Sequence, residues 1–167
     1  MRFERVGDRW HHSVTVRGSP SVAWRSVEGP AGDDARWPAS PAFVEVTRLG
    51  ATPDAPLMAV GQAGRTHFSA VVLADAAAPG TIRFDVAARI HDTPLGLGST
   101  YARIPGGGPV DSAGPPPLRV VPDPDGETLP RTCRWSYRFG PEGLVACGGA
   151  SLVAVAGSDP RDRPMPA

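Results

Sequence analysis

The stretch Thr81-Ile82-Arg83-Phe84-Asp85-Val86-Ala87-Ala88-Arg89-Ile90-His91 alternates apolar and polar side chains with a period of two. Ile82, Phe84, Val86, Ala88 and Ile90 share one face; Thr81, Arg83, Asp85, Arg89 and His91 share the other, and only Ala87 breaks the polar set. Successive side chains of a strand point to opposite sides, so the pattern predicts a half-buried antiparallel strand. Residues 65–73 precede it across a loop of Ala, Asp, Pro and Gly, and the two stretches read as a hairpin. Placing Phe68 opposite Val86 sets Ala70 against Phe84 and Val72 against Ile82, apolar on apolar along one face. The same register sets Ser69 against Asp85 and Arg65 against Arg89.

A second hairpin lies further on. Cys133, Trp135, Tyr137 and Phe139 alternate with Thr132, Arg134, Ser136 and Arg138, Gly140-Pro141-Glu142-Gly143 makes the turn, and 144–156 returns with a bend at Gly148-Gly149. Further strands are predicted at 10–17, 22–27, 43–49, 57–60, 99–104 and 118–121. No segment of helical length carries an i, i+3, i+4 apolar stripe, and the 20 glycines and 20 prolines leave little room for long helices. The expected fold is all-β, an antiparallel sandwich or distorted barrel of about eight to ten strands. One domain is expected over 1–156, with a flexible Gly/Pro-rich excursion at 105–117, a similar acidic stretch at 122–130 and a disordered tail at 157–167.

The 167 residues carry 17 basic and 17 acidic side chains, and every basic one is arginine. The absence of lysine excludes Schiff-base chemistry, a P-loop lysine and a Ser–Lys dyad, and the absence of asparagine excludes N-glycosylation. A neutral chain with dispersed arginine offers no block of charge, so neither nucleic acid nor a membrane surface is an expected partner. Met1-Arg2-Phe3-Glu4-Arg5 is not followed by an apolar run, and the uncharged stretch 144–157 is too short to span a bilayer. Two cysteines, Cys133 and Cys147, make no disulfide framework, and a cytoplasmic location is expected.

Several segments together resemble a group of uncharacterised proteins of high-GC bacteria. They are Asp8-Arg9-Trp10-His11-His12, Ser26-Val27-Glu28-Gly29, Trp37-Pro38-Ala39-Ser40-Pro41, Gly61-Gln62-Ala63-Gly64-Arg65-Thr66-His67-Phe68-Ser69, Phe84-Asp85-Val86-Ala87-Ala88-Arg89 and Leu97-Gly98-Ser99-Thr100-Tyr101. The likeness covers roughly the first 104 residues and implies membership of a group, without a chemistry.

The residue types that carry chemistry are sparse. His11 and His12 point to opposite faces if they lie on one strand, so a zinc site would need His11, His67 and His91 to converge without zincin or CxxC spacing to support it. No metal or other cofactor is expected. Glu28, Asp33, Asp34, Glu45 and Asp85 are the carboxylates weighed for a hydrolytic pair, but Asp33-Asp34 suits a turn and Asp85 alternates with arginines. No Gly-x-Ser-x-Gly elbow occurs, Cys133 falls on an apolar face, and Pro105-Gly106-Gly107-Gly108 opens no helix. The sequence points to no catalytic residue.

The expected function is therefore a small non-enzymatic binding module. The alternatives are an enzyme pairing His67 or His91 with a carboxylate in a barrel mouth, and a homodimer formed through an open sheet edge. The hairpin brings Arg65, His67 and Ser69 onto one surface with Arg83, Asp85 and Arg89. That leaves a local positive excess, suited to a small anionic ligand or an acidic protein partner. Trp37, ahead of Pro38 in an expected loop, is placed as a stacking wall for that face, with Tyr101 as the other candidate.

Overall fold

Alternation decides which side of each strand is buried, and the chain uses it throughout. The structure, a computed structural model, describes residues 1–16, 22–31, 34–94, 96–105, 115–123, 126 and 128–155. Among these the strands in chain order are β1 (Arg2–Val6), β2 (Arg9–Val16), β3 (Val22–Ser26), β4 (Pro30–Ala31), β5 (Asp34–Pro38), β6 (Phe43–Arg48) and β7 (Leu57–Ala63). They continue with β8 (Thr66–Ala74), β9 (Ile82–Ile90), β10 (Ser99–Pro105), β11 (Leu118–Pro122), β12 (Arg131–Gly140), β13 (Gly143–Ala146) and β14 (Ala150–Ala154). No helix occurs among the described residues, so none there is long and apolar enough to cross a membrane.

Two antiparallel six-stranded sheets pack face to face, one in the order β1-β2-β3-β10-β11-β14 and the other β13-β12-β9-β8-β7-β6. The fold is thus all-β and a sandwich. It has more strands than the expected eight to ten. β1, β4 and β5 carry no readable alternation, being short, charged or proline-bearing. The return stretch 144–156 is two strands: β13 pairs with β12 in one sheet, and β14 pairs with β11 in the other. The bend at Gly148-Gly149, where Gly149 takes φ 78°, is where the chain changes sheets. The excursion expected at 105–117 and the tail at 157–167 lie mostly or wholly outside the described residues.

The β8–β9 hairpin forms, but in a register two residues from the expected one. Phe68 faces Ala88, Ala70 faces Val86 and Val72 faces Phe84. The turn makes the choice. Asp75 N donates to Thr81 O, Ala77 N donates to the Asp75 carboxylate, and the Thr81 hydroxyl donates to Ala78 O at 2.6 Å. A slip of two residues keeps every side chain on its own face, so the hydrophobic pattern cannot distinguish the two registers. Arg65 consequently sits in the turn before β8, and His67 takes its place opposite Arg89.

The core lies between the sheets. Phe84 is fully buried, stacked on Tyr137 with ring centroids 5.0 Å apart and on His12 at 5.2 Å. At one end the chain from Trp37 to Phe43 is buried residue by residue on its way into β6. It is tied down by Ser40, whose hydroxyl donates to Thr100 O (3.1 Å) and accepts from Thr100 N (3.0 Å). Gly61 makes room for it: a Cβ there would stand 1.7 Å from the Ala42 carbonyl oxygen.

Two expectations follow for urea denaturation. Phe84→Ala should lose about 3–5 kcal/mol, the usual cost of truncating a buried phenylalanine. Gly61→Ala should cost about 1–3 kcal/mol despite adding a single methyl, because backbone must move to admit it. Native-like stability in either variant would contradict this account of the core.

Candidate functional site

The inward turn of Phe68, Ala70, Val72, Phe84, Val86 and Ala88 sends their neighbours to the outer face of the second sheet. Cross-strand pairing arranges these in rows. Ser136, Asp85, Val71, Met58 and Thr47 form one row; Arg134, Ala87, Ser69, Val60 and Glu45 form the next; Thr132, Arg89, His67 and Gln62 form a third. Arg138 and Arg83 oppose each other at the far end.

Arginines Arg83, Arg89, Arg134 and Arg138 therefore occupy the two adjacent strands β9 and β12, with Asp85 as the carboxylate on those strands. Asp85 is already engaged: its Oδ1 accepts from Arg83 Nε at 2.9 Å and from the Ser136 hydroxyl at 2.6 Å. The Asp85 hydrogen bond and charge raise the Arg83 pKa further. Arg138 reaches Glu142 in the turn at 3.4 Å. Arg89 donates to the Thr132 hydroxyl, and among the described residues neither Arg89 nor Arg134 pairs with a carboxylate. Beside the arginines, on β7 and β8, runs an apolar strip of Val71, Met58 and Val60, with Met58 38% exposed.

Of the residues expected at this face, His67, Ser69, Arg83, Asp85 and Arg89 lie on it. Arg65 lies at its rim, paired with Asp92 at 3.3 Å. Trp37 does not belong. It lies on β5 within the core, its Nε1 donating to Gly96 O at 2.5 Å, because its indole fills the end of the sandwich. Tyr101 is likewise fully buried and forms no wall. The histidines do not converge: His67 and His91 are neighbours on the second sheet, ring centroids 6.3 Å apart, whereas His11 lies opposite Glu4 on the first.

A second polar constellation lies inside. Tyr101 on β10 bonds His12 Nε2 at 2.7 Å and the Tyr137 hydroxyl at 2.6 Å, crossing from one sheet to the other. Trp135 Nε1 donates to the Ser99 hydroxyl nearby, and Ser26 Oγ accepts from His12 N. Burial drives the His12 pKa down to about 3 and raises both tyrosines. Glu28, 8% exposed, has neither carboxyl oxygen hydrogen-bonded among the described residues, and burial pushes it up to about 7 against the opposing influence of Ser26 and Arg9. Strand parity carries a signal for both groups. His12 shares the inward set of Trp10, Val14 and Val16, and Glu28 continues the set of Trp24 and Ser26. A neutral imidazole and a phenol pair with raised pKa values, shut away from solvent, serve as cross-sheet fastening. They make poor acid–base catalysts.

An open cleft of about 390 Å³ at the other end is lined by Val14, Val16, Ile82, Phe139 and Pro141, with no ionisable group among the described residues of its walls. Comparison with known proteins finds no matching family, no matching curated protein and no matching solved structure.

The two buried groups give stability a defined pH profile. Glu28 holds its proton more tightly when folded, so its contribution is full below about 4.5 and is lost as pH rises through about 7. His12 does the reverse: its contribution is present above about 6.5 and is lost as pH falls towards about 3. Between about 4.5 and 6.5 the two slopes oppose each other. Glu28→Gln should leave the His12 slope uncompensated, so that stability from urea melts climbs with pH by roughly 1.4 kcal/mol per unit in that window. Identical slopes in wild type and variant would rule this out.

Proposed function

We propose that the protein is a binding domain that recognises an acidic polypeptide segment through the outer face of its second sheet. The observation that carries this reading is the excess of guanidinium groups on β9 and β12. Arg89 and Arg134, diagonal neighbours across the two strands, have no carboxylate partner among the described residues. Guanidinium forks pair with carboxylates in bidentate fashion, and the adjoining strip of Val71, Met58 and Val60 suits apolar side chains interleaved with acidic ones. The three rows of this face carry no ring besides the His67 imidazole, so they lack the stacking platform single-stranded nucleic acid uses.

A fluorescently labelled peptide alternating Glu and Leu should bind at low salt, and a Lys–Leu counterpart should not. The double substitution Arg89→Ala/Arg134→Ala should weaken binding about tenfold, equivalent to roughly 1.4 kcal/mol, while leaving the thermal melt in place. Added salt should weaken the wild type more than the variant. Failure of the acidic peptide to bind, or equal affinity in the variant, would dismiss the proposal.

A further inference from the structure

β14 forms one rim of the first sheet and, among the described residues, is paired on one side only, with β11. The phase of that pairing follows from its flanking bonds. Asp123 N donates to Gly149 O at 3.0 Å, and Val155 N donates to Pro117 O at 2.8 Å. Backbone groups of a strand alternate in direction, so Ser151 and Val153 face β11, and Ala150, Leu152 and Ala154 aim their N–H and C=O groups at the open rim.

The side chains are as unguarded as the backbone. Leu152 lies opposite Val120, which is fully buried between the sheets, yet Leu152 is 38% exposed. Val153, pointing the other way, is 43% exposed. The remaining rims are protected in the ways proteins usually protect them. β1 carries Arg2, Glu4 and Arg5, β6 carries Glu45 and Arg48 with a register break between Phe43 and Glu45, and β13 spans four residues. The sequence Ala150-Ser151-Leu152-Val153-Ala154 has no charge, no proline and no bulge.

We infer that β14 is a dimerisation strand and that its partner is β14 of a second copy of this chain. A two-fold axis through Leu152 sets Leu152 against its own symmetry mate and Ala150 against Ala154. All of these are residues whose backbone groups point at the rim, so each facing pair can exchange hydrogen bonds. The exposed Leu152 side chains then cover each other. Self-pairing of an uncharged strand opposes no like charges, whereas the same operation centred on β1 would set Glu4 against Glu4. The result joins two six-stranded sheets into one continuous sheet. This surface is separate from the arginine face, so the inference stands independently of the acidic-partner reading.

Sedimentation velocity over a hundredfold range of protein concentration should show a monomer–dimer equilibrium. Leu152→Lys puts two ammonium groups at the axis and should weaken the dimer at least about tenfold without shifting the thermal melt. Leu152→Pro is a second variant: the N–H it removes faces the rim, so the β11 ladder is spared. Val44→Lys, on the β6 rim, should leave the dimer intact. In hydrogen exchange, the amides of Ala150, Leu152 and Ala154 should become protected as concentration rises, while those of Ser151 and Val153 are protected throughout. A monomer at every concentration, or a dimer insensitive to both Leu152 variants, would overturn the inference, as would rim amides whose exchange ignores concentration.

Discussion

The hydrogen-bonded chain His12–Tyr101–Tyr137 holds the two sheets in their relative position. Its links are 2.7 and 2.6 Å long, and the second passes from β10 of one sheet to β12 of the other. Apolar contacts between sheets are tolerant of small slides, but a buried polar group is not, since losing its partner leaves it unsatisfied in a dry interior. The aromatic packing is built around the same chain. His12 lies between Phe3 and Phe84, and Phe84 stacks in turn on Tyr137. A shift of either sheet along its strands would break hydrogen bonds and ring contacts together.

That interior arrangement explains why the outer face of the second sheet is so polar. Phe84, Val86 and Ala88 turn inward to meet the aromatic cluster, so Arg83, Asp85 and Arg89 must turn outward on the same strand. β12 repeats the arrangement, with Cys133, Trp135, Tyr137 and Phe139 inside and Arg134 and Arg138 outside. The strands are direct neighbours, so their outward guanidinium groups gather on one face, where Asp85 is the carboxylate the two strands carry. The accumulation costs little in stability, since exposed guanidinium groups remain hydrated and screened.

Glu28 stands apart from this economy. Its oxygens are buried without hydrogen-bond partners among the described residues, and it meets that cost by taking up a proton near neutrality. It follows the inward set of β3 at the point where the chain leaves the first sheet for the short β4–β5 ladder. Local strand geometry therefore points it inward, and the buried segment from Trp37 to Phe43 belongs to the same end of the sandwich.

The alternation in 81–91 and 132–139 was sufficient to determine strand identity, the inward and outward sets, the all-β class and the turn that pairs Gly140 with Gly143. The outward cluster of His67, Ser69, Arg83, Asp85 and Arg89 was legible for the same reason, because a period of two assigns faces without knowledge of partners. Tertiary structure alone decided what depends on partners. The β8–β9 register moved by two residues because the Asp75–Thr81 hydrogen bonds chose among ladders that bury the same side chains. The stretch after Gly143 divided between sheets at Gly148-Gly149, and Trp37 went into the core. In both cases an element distant in sequence supplied the contact: β11 for β14, and the carbonyl of Gly96 for the indole. Periodicity records which face of a strand meets an apolar environment, and it holds no record of which strand provides that environment.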